Sequence, residues 1–178
     1  MSNTAVAKRY ALALFQIAKE NFVIEPIEGE LQVVKQVFNG HPDLLAILKS
    51  PKLTIDKKKE ILKGAFSEAS PYILNTLMLL TERHREDIIA EVAEAYIQLA
   101  YEERGVAEAN VMTVRKLTKE EEQSVSSTFA RKIGKNSLII NNIVDKNLLG
   151  GMKVRIGTRI YDGSIRGKLD RLGRELTV

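Results

Sequence analysis

The chain has 178 residues, 44% hydrophobic and 28% charged, which suits one medium globular domain or two small ones. It has no cysteine, so disulfides and thiolate metal sites are excluded, and its longest apolar run, residues 77–80, is far short of the roughly 20 residues of a membrane span. Net charge is +4, divided unevenly: residues 1–104 hold 13 basic against 15 acidic side chains, residues 105–178 hold 14 against 8. A basic second half suits an acidic partner (nucleic acid, an anionic membrane face or an acidic protein surface) and equally suits a plain solvated surface. The first residues lack the continuous apolar core of a signal peptide, so a cytosolic chain is expected, at most peripheral to a membrane through partners.

The first 104 residues read as successive helices, with all four prolines at or before helix starts. Helix one is expected over residues 4–21. Helix two runs from about Pro26, carries Ile27, Leu31, Val34 and Phe38 on one face and stops at Asn39-Gly40. Pro42 opens a short third helix, Thr54 caps a fourth and Ser70-Pro71 opens a fifth. A sixth carries Ile88, Ile89, Val92, Tyr96 and Leu99 and ends at Gly105. Short helices joined by short loops imply an antiparallel six-helix bundle.

Beyond Gly105 the apolar period drops from helical to alternating. Residues 106–115 read as a strand. Thr118 and Glu121 form a capping box for a helix carrying Val125, Phe129 and Ile133, closed by Gly134. Residues 137–144 read as a second strand. After Gly150 and Gly151, where the backbone must turn or approach another backbone closely, Met152, Val154 and Ile156 alternate with Lys153, Arg155 and Gly157 as a third strand. Residues 159–161 can return as a hairpin. Asp162-Gly163-Ser164 then leads into a last helix with Ile165, Leu169, Leu172 and Leu176 in one stripe. The expected architecture is α+β: a helical domain over 1–105, then a small β-α-β-β-α domain over 106–178.

Chemistry is hard to find. The two histidines, His41 and His84, have no second ligand at metal spacing, and no Gly-x-Ser-x-Gly elbow is present. Neither Gly-x-x-x-x-Gly-Lys-Ser/Thr nor Gly-x-Gly-x-x-Gly occurs, so no nucleotide loop is expected. Adjacent glycines do not form the Gly-x-x-Gly clamp of a KH module, and the basic half offers only Tyr161 and Phe129 for base stacking. An RNA- or DNA-binding adaptor remains the rival reading; no enzyme activity, cofactor or metal is expected.

What remains is protein binding. Helix one carries two apolar stripes, Val6/Tyr10/Ala13/Ile17 and Ala7/Ala11/Leu14/Ala18, where a surface helix needs only one. On helix five, Leu74, Leu77 and Thr81 serve a core, while Leu79 and Asn75 share another face. Either both helices are central in the bundle or they form a groove for an amphipathic partner helix.

Two motifs now carry a resemblance. Residues 7–15, Ala-Lys-Arg-Tyr-Ala-Leu-Ala-Leu-Phe, and residues 138–157, with Asp145, Leu148, Gly150-Gly151, Val154, Arg155 and Gly157, continued by residues 162–169, resemble the delta-subunit family of bacterial ATP synthase, relatives of the mitochondrial oligomycin-sensitivity-conferring protein. The resemblance spans the whole chain. It implies a non-catalytic stator, one copy per complex, on the cytoplasmic face of the membrane and reaching the membrane only through the complex. The helical domain would bind N-terminal helices of alpha subunits, and the C-terminal domain would grip the C-terminal helices of the b-subunit stalk. On that implication Ala7, Tyr10, Ala11 and Leu14 with Asn75 and Leu79 line the alpha-helix groove, and Leu14→Asp or Leu79→Asp is expected to weaken alpha binding in a domain that stays folded. Met152, Val154, Leu169, Leu172 and Leu176 serve the stalk contact, with Gly150 and Gly151 as structural glycines.

Overall fold

The computed structural model describes residues 3–176, without the side chains of residues 170, 171 and 173–176. The fold is α+β, and the chain divides into two compact units, Met1–Ala100 and Tyr101–Val178.

The first unit contains α1 (Asn3–Glu20), α2 (Ile24–Gly40), α3 (Pro42–Lys49), α4 (Ile55–Ala65), α5 (Pro71–Glu82), a tight helical turn at Glu86–Ile88, and α6 (Ile89–Arg104), which runs on past Ala100. Pro42 and Pro71 sit in the first turns of α3 and α5, where a missing N–H costs nothing. Thr54 Oγ1 accepts the Lys57 N–H and caps α4. One helix start differs from expectation. α2 begins at Ile24, ahead of Pro26, because Phe22 takes a left-handed φ of 57° and turns the chain within a few residues of α1. Pro26 then lies in the first turn of α2, whose amides have no intrahelical acceptor in any case.

The core of this unit threads all six helices: Ala7, Ala11, Leu14 and Phe15 from α1; Ile27, Leu31, Val34 and Phe38 from α2; Leu48, Leu62, Ile73, Leu77 and Leu80; and Val92, Ala93 and Tyr96 from α6. Phe15 meets Tyr96 edge-to-face at 5.7 Å, and Phe38 stacks on Phe66 at 6.1 Å. Tyr96 is fully buried and donates its hydroxyl to Ile24 O at 3.2 Å; burial first, and the Glu28 charge second, push its phenol well above the ordinary range. Lys58 and Glu86 form an ion pair at 2.9 Å with side chains 6% and 5% exposed, tying α4 to the Glu86–Ile88 turn.

In the second unit β1 (Val106–Thr113), β2 (Ser137–Val144), β3 (Met152–Ile156) and β4 (Arg159–Asp162) form a mixed sheet in the order β2-β1-β3-β4, with α7 (Lys119–Ile133) and α8 (Ile165–Leu176). β1 and β2 are parallel and joined through α7; β3 is antiparallel to β1 and to β4. β4 corrects the β-α-β-β-α count. Gly157 at φ 57° makes a two-residue hairpin loop with Thr158, so that Arg159 pairs with Ile156. Val125, Phe129, Ala130 and Ile133 of α7 pack on Ala109, Val111, Leu138, Val154 and Ile156.

α7 is fixed at both ends. Gly134 caps its C-terminus at φ 70°. At its N-terminus Glu121 accepts the Thr118 N–H at 2.9 Å and a two-pronged contact from Arg115 at 2.9 and 2.6 Å. The Arg115 guanidinium chiefly, then the Thr118 amide, bring the Glu121 carboxyl down from 4.5 to about 2. Because the folded value is the depressed one, this contribution to stability is complete above pH 4.5 and is lost as pH falls toward about 2. A side-chain carboxyl titration of Glu121 by NMR is expected to have its midpoint near 2; a midpoint near 4.5 would mean that the Arg115 clamp is open in solution.

Candidate interaction surfaces

α1 resolves the ambiguity of its two stripes. Ala7, Ala11, Leu14 and Ala18 lie at 4% exposure or less inside the unit, the small side chains allowing neighbouring helices to come close. The other stripe faces outward: Val6 and Tyr10 are half-buried, and Ala13 and Ile17 are exposed, the latter at 44%. Of the expected groove residues on α1, therefore, Ala7, Ala11 and Leu14 are occupied by the core, and only Tyr10 keeps accessible surface. Val6, Ala13 and Ile17 belong to the accessible row and are the ones the sequence reading left out. Periodicity displays both rows equally; only the run of alanines marks the one that packs against its own fold.

Tyr10 is held in place. Arg85, just past α5, donates to its hydroxyl at 3.0 Å and lies 5.6 Å from the ring centroid, while Asn3 donates to Asp87 at 3.1 Å. The turn carrying Arg85 and Asp87 is itself anchored by the buried Lys58–Glu86 pair. On α5, Asn75 and Leu79 lie one turn apart on the exposed face, Leu79 at 41%, while Ile73, Leu77, Leu80 and Thr81 face the core and Leu74 is half-buried.

In the second unit the glycine pair sits against the start of α8. Gly150 O accepts the Ile165 N–H at 3.0 Å, and Met152 O accepts the Gly163 N–H at 2.9 Å. A Cβ on Gly151, whose φ is 78°, would lie 2.5 Å from Gly163 O and 3.0 Å from Ser164 Cα. At Gly150 the neighbour is the flexible end of Ile165, at 2.6 Å. Asp162 Oδ1 accepts from the Ser164 N–H and hydroxyl, and Ser164 Oγ accepts the Gly167 N–H at 3.0 Å, which caps α8. Gly151→Ala combines left-handed strain with a backbone clash and is expected to destabilise this unit by about 3 kcal/mol. Gly134→Ala, at φ 70° but with nothing within 4 Å, carries the strain alone. Thermal unfolding of both variants checks this; equal losses would show that the close approach at Gly151 does not exist.

α8 leaves its stripe in solvent. Ile165, Leu169 and Leu172 are 48%, 55% and 54% exposed, with Arg166 and Lys168 exposed beside them. Val154 is fully buried under α7 and Met152 is half-buried, so Val154 serves the unit's own core. Leu176 ends α8, and its side chain lies outside the described ones. The sheet face opposite Val154 presents Ile139, Ile143 and Ile160, each at least 41% exposed, with Lys153 and Arg155. Tyr161 is half-buried, its ring 5.3 Å from Phe129 with Lys132 Nζ 4.7 Å away, so it is engaged within the fold. Among the described residues no cluster of His, Asp or Glu has metal-holding geometry, and no helix is long and apolar enough to cross a membrane.

Residues 6–176 match the family described as ATP synthase delta (OSCP) subunit. The chain belongs to this family. It is 51% identical over 177 residues to ATP synthase subunit delta of Anoxybacillus flavithermus, covering 99% of each chain. It is likewise 51% identical over 176 residues to that of Priestia megaterium, covering 99% of this chain and 97% of the relative. A chain of the Toxoplasma gondii mitochondrial ATP synthase hexamer has the same fold, with a TM-score of 0.71 at 20% identity and 97% of each chain covered. The protein is thus a non-catalytic structural subunit of ATP synthase, of the delta (OSCP) family.

Proposed function

We propose that this subunit is the stator link of its ATP synthase. In this reading residues 1–105 form an antiparallel six-helix bundle seated on the catalytic head, where it receives N-terminal helices of alpha subunits. Residues 106–178 grip the C-terminal helices of the b-subunit stalk. One copy serves each complex, at the cytoplasmic face of the membrane and held there through its partners. Torque from the rotor then meets a fixed head. The observation that carries the reading is that each unit leaves one helix with an apolar row in solvent, α1 through Tyr10 and Ile17, α8 through Ile165, Leu169 and Leu172. Apolar rows with charged flanks suit partner helices, and a mechanical link depends on slow dissociation from buried apolar anchors.

Calorimetric titration of the full chain with an alpha N-terminal helix peptide and a b C-terminal helix peptide tests it. Both are expected to saturate one-to-one and independently, with Leu169→Asp lowering b-peptide affinity at least about tenfold without changing alpha-peptide affinity. Failure of both peptides to bind, together with RNA binding that salt abolishes, would sink the stator reading in favour of a nucleic-acid adaptor.

A further inference from the structure

Away from the accessible rows of α1 and α5, the first unit contains a cleft of about 340 Å³ between α2 and the segment joining α4 to α5. Its floor is apolar and firmly seated. Val34 is 1% exposed, Phe66 is 7% exposed and stacked on Phe38, and Ala69 is half-buried beside them. Val33, one residue before Val34, stands 55% exposed at the edge. The charge on the lining is of one sign: it includes the carboxylates of Glu30 and Glu68 and no cation. Glu30 is oriented by the Ser70 N–H, which donates to its Oε2 at 2.9 Å, while Ser70 Oγ is buried without a hydrogen-bond partner. A cavity of this kind, preformed and apolar with fixed polar groups on one side, is shaped for a side chain that combines both characters.

We propose that this cleft is a second docking site of the first unit, taking a partner helix that presents an aliphatic or aromatic side chain with a lysine or arginine within one turn of it. The apolar side chain covers Val33 and reaches Phe66, and the cation meets Glu68 and the outer oxygen of Glu30. Electrostatic complementarity selects the partner, since an anionic flank would face two carboxylates with no cation to offset them. The site does not depend on what α1 and α5 bind.

The test uses the ¹⁵N-labelled full chain and, as probe, an alanine-based helical peptide bearing a leucine pair flanked by arginines, with a control peptide in which glutamates replace the arginines. The arginine peptide is expected to shift the amides of Val33 and of residues 65–69. Val33→Ser and Glu68→Lys, both at exposed positions, are each expected to raise its Kd about tenfold while the rest of the spectrum stays unchanged. Equal binding of the glutamate peptide, unchanged affinity in Glu68→Lys, or no binding at all would overturn the proposal. Shifts confined to α1 and α5 would also overturn it, while leaving the stator reading standing.

Discussion

Replacing Lys58 with methionine is expected to destabilise the first unit by about 3–5 kcal/mol, because the Glu86 carboxylate is left buried without its partner. Both side chains are under one-tenth exposed, and their 2.9 Å contact joins α4 to the turn after α5. The loss comes from stranding one charge and not from any large net value of the pair. The double variant Lys58→Met/Glu86→Leu, which removes both charges together, is therefore expected to recover most of the stability, and denaturant unfolding of the three proteins measures it. A double variant as unstable as the single one would mean that the damage is steric. The effect reaches the candidate interface too, since the Glu86–Ile88 turn also carries Asp87, bonded to Asn3, and adjoins Arg85, bonded to Tyr10. Loosening that turn frees the one expected α1 groove residue that still has surface to offer.

Much of this fold was written in local chemistry. The Thr118–Glu121 capping box, the glycine at 134 and the prolines at 42 and 71 act within one helical turn, so their spacing alone locates helix ends. Where the outcome depends on tertiary packing, the sequence was silent. Nothing in residues 159–162 distinguishes a fourth strand from a loop until β3 lies alongside to pair with it. The strand order β2-β1-β3-β4 depends on contacts distant in sequence, which periodicity does not encode. The interaction surfaces divided in the same way. The α8 stripe was plain from its spacing and stays exposed, but Val154 alternates just as an interface residue would and is buried by α7 instead. On α1 two rows of equal apolar character competed for one core.

The competition on α1 has a measurable consequence, and it reverses the expectation that Leu14→Asp leaves the helical domain folded. Leu14 is 4% exposed and packed among Ala7, Ala11, Phe15 and Ala18, so an aspartate there has neither water nor a partner. Burying an unpaired carboxylate while removing a leucine from a close-packed core is expected to cost more than about 4 kcal/mol, enough to unfold a marginally stable unit. Leu79→Asp makes the same chemical change at a site 41% exposed on α5 and is expected to cost no more than about 1 kcal/mol. The pair separates folding from binding. Circular dichroism and denaturant unfolding should show Leu14→Asp without its cooperative helical transition and Leu79→Asp with one close to that of the parent. Titration of the alpha-subunit peptide into folded Leu79→Asp then reports on the surface alone. A native-like Leu14→Asp protein would mean that the alanine row is the outer one and that the Val6–Ile17 row forms the core, so the placement of α1 would have to be turned about its own axis.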